Sequence, residues 1–107
     1  IYVGQWKNDQ RNGEGKYTWA NGDVYDGNWK DDEMNGEGIL RLKSGTKFKG
    51  TFKKGIKNGP CIEEDKQGVR FEGSYRNGIR DGKFVEKDKT GKVIATGKYE
   101  NGKKITD

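Results

Sequence analysis

The sequence predicts an all-β protein, a curved antiparallel sheet built from successive β-hairpins. Three observations predict it. One residue pattern returns every 23 residues along the 107-residue chain. Within each unit the side chains alternate with a period of two, as on strands with one buried face. Glycine follows Asn, Asp, Ser, Gln or Thr at regular points, where a reversing strand needs positive φ.

The repeat can be followed position by position. Tyr2 is answered by Tyr25, Phe48 and Phe71; Gly4 by Gly27, Gly50 and Gly73; Trp6 by Trp29, Phe52 and Tyr75. Gly13 leads to Gly36, Gly59 and Gly82, and Gly22 to Gly45, Gly68 and Gly91. One extra residue near 93–95 delays the last unit, so Gly97, Tyr99 and Gly102 follow a step late. The units run at about 2–24, 25–47, 48–70 and 71–94, with a partial fifth at 95–107, in a single domain.

In the first segment of unit one, Tyr2, Gly4 and Trp6 share one face, and Val3, Gln5 and Lys7 the other. In the second, Gly13, Gly15, Tyr17 and Trp19 alternate with Glu14, Lys16, Thr18 and Ala20; unit two places Leu40 and Leu42 at the last two ring positions. Asn12-Gly13, Asn35-Gly36, Asn58-Gly59 and Asp81-Gly82 read as the turns joining the two strands of each hairpin. Asn21-Gly22, Ser44-Gly45, Gln67-Gly68 and Thr90-Gly91 read as the return turns. All twelve aromatics share strand parity with a nearby repeat glycine. Glycine costs a strand roughly 0.5–1 kcal/mol relative to alanine. It also leaves bare backbone on which a ring from a neighbouring strand can lie, and it lets the sheet curl. The expected result is a Gly/aromatic inner face and a charged outer face.

Composition bounds the alternatives. With 28% hydrophobic and 36% charged residues the chain leans toward disorder, and eighteen glycines beside one proline suggest a linker. A strict register is foreign to both. No apolar run approaches the roughly 18 residues of a spanning helix, and no signal peptide is visible. The chain starts at Ile1 rather than methionine, which reads as a piece of a longer protein. A single cysteine, Cys61, excludes an internal disulfide framework. Together with the absence of a glycosylation sequon, it is compatible with a cytoplasmic location, peripheral to a membrane where lipid is the partner. Residues 1–47 carry seven Lys/Arg against eight Asp/Glu, a net of −1, and residues 48–107 carry fifteen against nine, a net of +6. The basic character belongs to the second half.

Y-x-G-x-W followed by G-x-G, at a 23-residue step, resembles the MORN repeat (membrane occupation and recognition nexus). Units one and two carry the likeness closely, through Tyr2, Gly4, Trp6, Gly13 and Gly15 and their counterparts; units three and four carry it more loosely. The resemblance implies an elongated, twisted trough of hairpins. It also implies non-enzymatic work: scaffolding, self-association, gripping a partner's helix or peptide, or binding anionic lipid. The second glycine of G-x-G becomes Cys61 and then Phe84. Phe84, with the turns ending at Gly68 and Gly91, is similar to the divergent subtype of many bacterial members.

Candidate chemistry is sparse. There is no histidine, the commonest general base and metal ligand. Cys61 has no histidine to activate it and reads as a small buried stand-in for glycine. Glu63/Asp65 and Glu86/Asp88 recur at equivalent places, and paired carboxylates can serve acid–base work or hard cations. They read as strand ends that have reached solvent, with a bulge able to shift Glu63 and Glu86 out of phase. The glycines form no phosphate-binding fingerprint. No catalytic residue, cofactor or metal is expected. Nor is a nucleic-acid partner, because acids interrupt every basic cluster.

A single sheet lacks the second layer that domains normally have. The aromatic face is therefore expected to need a cover: a flanking segment, a second copy, or another protein. The residues expected to serve partner binding or packing between repeats are Tyr2, Trp6, Tyr17, Trp19, Tyr25, Trp29, Leu40, Leu42, Phe48 and Phe52. The alternative is a basic rim meeting an anionic lipid surface, with Lys53 aligned with Arg76, Lys57 aligned with Arg80, and Lys54 beside them. Such charge also serves simply to keep sheet edges from aggregating.

Overall fold

Eleven strands form one open antiparallel sheet in a computed structural model that describes residues 1–106. They are β1 (Tyr2–Lys7), β2 (Gln10–Thr18), β3 (Val24–Lys30), β4 (Glu33–Arg41), β5 (Lys47–Lys53) and β6 (Ile56–Glu64). After them come β7 (Arg70–Arg76), β8 (Ile79–Arg80), β9 (Gly82–Lys87), β10 (Val93–Glu100) and β11 (Lys103–Thr106). Each strand pairs with its neighbours in sequence, except that β8 and β9 both pair with β7. The described residues contain no helix, and the molecule measures 49 × 26 × 19 Å. The all-β hairpin architecture expected from the period-two pattern is the one found.

The tight turns lie elsewhere than the sequence suggested. The hairpins reverse at Asn8-Asp9 (φ 52° and 63°), Asp31-Asp32 (50° and 68°), Lys54-Gly55, Asn77-Gly78 and Asn101-Gly102. Two consecutive residues with positive φ are the signature of a type I′ turn, whose twist suits a hairpin. Gly13, Gly36 and Gly59 sit instead inside β2, β4 and β6, with φ of 89° to 101°. There the register slips: one residue, Gln5, stands between Gly4 and Trp6, while three stand between their partners Gly15 and Arg11. These are β-bulges. Positive φ marks a bulge as well as a turn, so the Asn-Gly signal was sound and its assignment was not. In the fourth hairpin the strand breaks outright at Asp81, between β8 and β9, and Gly82 (φ 92°) opens β9. Gly22, Gly45, Gly68 and Gly91 are all at positive φ in the return loops, as expected.

Each bulge leaves backbone groups without a ladder partner, and one repeat position supplies the substitute. Gln5 Oε1 accepts from the Glu14 amide at 2.8 Å, and Asn28 Nδ2 donates to the Glu37 carbonyl at 3.2 Å. Thr51 Oγ1 and Ser74 Oγ donate to the carbonyls of Asn58 and Asp81. Consecutive turns are also tied together: the amides of Asp32, Gly55, Gly78 and Gly102 donate to the carbonyls of Arg11, Met34, Lys57 and Arg80, one repeat back.

The glycines align across the sheet. Gly4 faces Gly15, Gly15 faces Gly27, Gly27 faces Gly38, and Gly38 faces Gly50, which faces Cys61. Rings lie on this bare row. An alanine methyl at Gly38 would fall 2.2 Å from the Tyr25 hydroxyl, and one at Gly15 would fall 2.1 Å from that of Tyr2. Four residues along a flat strand span about 13 Å, yet the Tyr25 and Trp29 ring centroids are 5.3 Å apart. The rings lean toward one another over the glycine between them.

Gly38→Ala is expected to destabilise by about 1–3 kcal/mol, because the methyl overpacks against Tyr25. Gly91→Asn, at φ 91° with nothing within 4 Å, is expected to cost about 1 kcal/mol or less. Urea unfolding of the two variants checks this; equal losses would show that backbone conformation, not ring contact, sets the requirement for glycine.

Candidate interaction surfaces

The two faces of the sheet differ in how much they leave open. On the ring face Tyr25, Phe48, Phe52 and Trp29 are all buried, the first completely. The contacts run from unit to unit. Trp29 meets Tyr2 at 5.5 Å and Tyr17 at 6.0 Å, Phe52 meets Tyr25 at 5.2 Å, and Tyr75 meets Phe48 at 5.8 Å, between ring centroids. Trp29 Nε1 donates to the Gly15 carbonyl at 3.1 Å. Leu40 packs against this core from the position opposite Tyr25 and Phe48. Tyr2, Tyr17 and Trp19 are half-buried, Leu42 is half-buried in a return loop, and Trp6 is 58% exposed. The sheet therefore needs no second layer over its middle, contrary to the expectation that something else must cover the rings.

Charged groups complete that cover. Arg11, Met34, Lys57 and Arg80 occupy one repeat position, opposite Trp6, Trp29, Phe52 and Tyr75. The Arg11 guanidinium lies 4.5 Å from the Trp29 ring centroid, Lys57 Nζ 4.5 Å from that of Phe48, and Arg80 3.8 Å from that of Phe71. A cation over a ring face is attracted by the ring quadrupole. The expected basic rim is therefore divided. Lys53, Lys54 and Arg76 are exposed at the hairpin ends, whereas Lys57 and Arg80 are turned in among the rings.

Lys57 and Arg80 converge on Glu63, whose side chain is only 13% exposed. Glu63 lies between Phe48 and Phe71 in the register. It accepts from the Tyr75 hydroxyl and from Arg80 Nη2 at 3.3 Å, with Lys57 Nζ at 3.9 Å. Arg80 Nη1 donates to the Tyr99 hydroxyl at 3.0 Å. Burial opposes the Arg80 charge, but the hydrogen bonds from Arg80 to Tyr75 and Tyr99 and the charge of Glu63 outweigh it and hold the guanidinium above its ordinary pKa. The reading of Glu63 and Glu86 as strand ends in solvent is thus corrected. Glu86 faces Phe71 in the ladder and pairs with Lys104 at 2.8 Å. Asp65 and Asp88 have left the strands altogether. Their carboxylates accept backbone amides from Gln67 and Val69, and from Thr90 and Lys92, and so shape the return loops.

Cys61 is buried, free, and opposite Gly50 and Gly73, as a stand-in for glycine should be. Burial and the nearby Glu63 charge push its thiol up to about 11, so it holds little thiolate at neutral pH.

The opposite face is open. A groove of about 810 Å³ crosses β2 to β6 there, over the backbone of Gly27, Gly38 and Gly50. Ile39 and Ile62 stand on one side of it, and Glu37, Thr51 and Pro60 on the other. Sequence reasoning gave this face only solvated charge and put the trough on the ring side. The alternation of Ile39 and Ile62 with Glu37 and Pro60 is visible in the sequence, but nothing local says that a groove separates them.

The MORN repeat pattern matches residues 2–24, 25–47, 48–70 and 71–83. This chain belongs to the MORN-repeat family. Repeats of this family are non-enzymatic modules that meet proteins and membranes. No match is found among curated proteins.

The Tyr25 phenol is pushed up to about 12 by burial, and that of Tyr75 to about 12 by burial and its bond to Glu63. Raised values favour the neutral forms in the folded state. Their stabilising effect is complete below the ordinary values of 9.0 for Cys61 and 10.0 for the tyrosines, and is lost as pH climbs through about 11 and 12. The thermal midpoint is expected to start falling near pH 9 and to drop steeply toward pH 12. In a variant with Tyr2, Tyr17 and Tyr99 replaced by Phe, phenolate absorbance from Tyr25 and Tyr75 should rise together with the loss of β-sheet circular dichroism; phenolates of these two appearing in the intact fold would contradict the burial.

Proposed function

We propose that this MORN-repeat protein is a non-catalytic interaction module that binds another protein, with the exposed groove face as its contact surface. The observation that carries the reading is the contrast between the faces. The ring face is spent on packing between repeats, while the groove keeps apolar Ile39 and Ile62 beside bare backbone, with Ile62 42% exposed. Pockets that join apolar walls to a few polar groups are common binding sites. A cytoplasmic location accords with this reading. The expected outcome of proximity cross-linking of the native full-length protein in its own cells is a discrete set of protein targets that Ile62→Arg loses. The same targets recovered from both forms would overturn the reading.

A second reading rests on the hairpin ends. Lys53 and Lys54 are exposed there, close in sequence to Ile56, which is 48% exposed, and Ile79, at 50%, lies one repeat further on. Lysines beside exposed isoleucines suit peripheral attachment to an anionic lipid surface, each charge contributing about 1 kcal/mol. Co-sedimentation with phosphatidylserine vesicles is expected to weaken steeply with salt and in Lys53→Gln/Lys54→Gln. Equal binding to neutral and acidic vesicles at low salt would eliminate this reading.

A further inference from the structure

The groove on the face opposite the rings carries a charge pattern at odds with the rest of the molecule. The whole chain has a net charge of +5. Glu14, Asp26 and Glu37 line the groove against a single cation, Lys49, a local balance of three negative charges to one positive. None of the three carboxylates enters an ion pair among the described residues, whereas Glu63, Glu64, Glu72, Glu86 and Asp32 all do. Register explains the concentration. Glu14 and Glu37 hold one repeat position, with Asn28 between them on the intervening strand β3, while Asp26 stands in the adjacent row, between Lys16 and Ile39. The next members of the Glu14 series are Pro60 and Lys83, so the acidic stretch stops at β4. The far end of the groove is bounded by Thr51, Pro60 and Ile62.

On this basis, and resting on the interaction reading above, we infer that the groove receives a basic amphipathic segment of a partner protein. Two basic side chains of that segment meet Glu14 and Glu37, and its apolar side chains meet Ile39 and Ile62. The dimensions limit it. Five adjacent strands span about 19 Å, the length of a helix of about 13 residues. Glu14 and Glu37 are two strands apart, about 10 Å, which a helix matches with Lys or Arg about seven positions apart. The unpaired carboxylates disfavour an acidic segment or an anionic lipid, because like charges repel with no counter-ion already in place. Opposite charge also speeds encounter and fixes orientation. This separates the groove from the lysine-bearing hairpin ends, which attract the other sign.

The test uses a displayed library of helix-forming peptides of about 13 residues, selected on the intact protein. Selection is expected to enrich peptides with two Lys or Arg about seven positions apart and aliphatic residues beside and beyond the second of them. Their binding should weaken about tenfold on Glu14→Gln/Glu37→Gln, and should be unchanged on Glu100→Gln. Glu14 and Glu37 are exposed, so the double variant is expected to keep the circular dichroism and thermal midpoint of the parent. Enriched peptides that lack basic residues, or that bind the double variant equally well, overturn the inference. If such peptides still compete with a cross-linked protein target, the interaction reading survives without it. A selection that yields no binder overturns the basic-segment assignment, and the cross-linking result then judges the broader reading separately. A groove found closed by a second copy, with Glu37→Lys converting a dimer to monomer in sedimentation, likewise overturns it.

Discussion

A ring lying on backbone that carries no side chain is the contact from which the rest of this molecule follows. Tyr25 reaches across Gly38 so closely that even a methyl has no room, and its hydroxyl finishes on the carbonyl of Asn28 at 3.0 Å. Tyr2 does the same over Gly15, ending on the Gln5 carbonyl at 2.8 Å. Units three and four use Phe48 and Phe71 at this position, with no hydroxyl to place, and there the glycine beneath gives way to Cys61 and Phe84. The tolerance for a side chain under the ring changes where the tyrosine hydroxyl is lost. Phe71 and Phe84 then stack at 5.7 Å with their planes 25° apart.

Because the rings from Tyr25 to Tyr99 that form the middle of the row cover one another, a one-layer sheet has a core. Domains usually bury apolar surface between layers; here the layer leans over its own glycines. The margins of that core are sealed by cations in three of the four units, at Arg11, Lys57 and Arg80, and by Met34 in the second. Arg11 also binds Asp32, with its amide 2.7 Å from the carboxylate, and joins the first hairpin to the turn of the second. Farther along the chain Glu63 replaces an aromatic in the ring row, and Lys57, Arg80, Tyr75 and Tyr99 surround it so that no buried side-chain polar atom among the described residues lacks a partner. A buried carboxylate left unpaired would cost several kcal/mol, so these residues stand or fall together.

The same glycine row shapes the opposite face. With rings on one side of Gly27, Gly38 and Gly50 and only backbone showing on the other, side chains of adjacent rows rise as two walls and leave the space between them open. Packing and binding are thus divided between the two surfaces of one sheet. Bulges at Gly13, Gly36 and Gly59 keep that division, since each restores alternation after a register slip of the strand that carries it.

The period of 23, the face taken by each aromatic and the all-β architecture were legible in the sequence, because they follow from local alternation and from the size of glycine. The return loops at Gly22, Gly45, Gly68 and Gly91 were legible for the same reason. Asn12-Gly13 was legible as positive φ but not as bulge rather than turn, since that depends on where the partner strand places Gln5. Tertiary structure alone decided that Lys57 and Arg80 turn inward while Lys53 and Arg76 stay in solvent. Both pairs recur at the 23-residue step, and the ladder register distinguishes them: Lys57 and Arg80 stand opposite the rings of Phe52 and Tyr75, whereas Lys53 and Arg76 stand opposite Ile56 and Ile79 at the hairpin ends. It likewise decided that the open groove lies behind the rings and not among them, because the closure of the ring face is a contact between residues a full repeat apart.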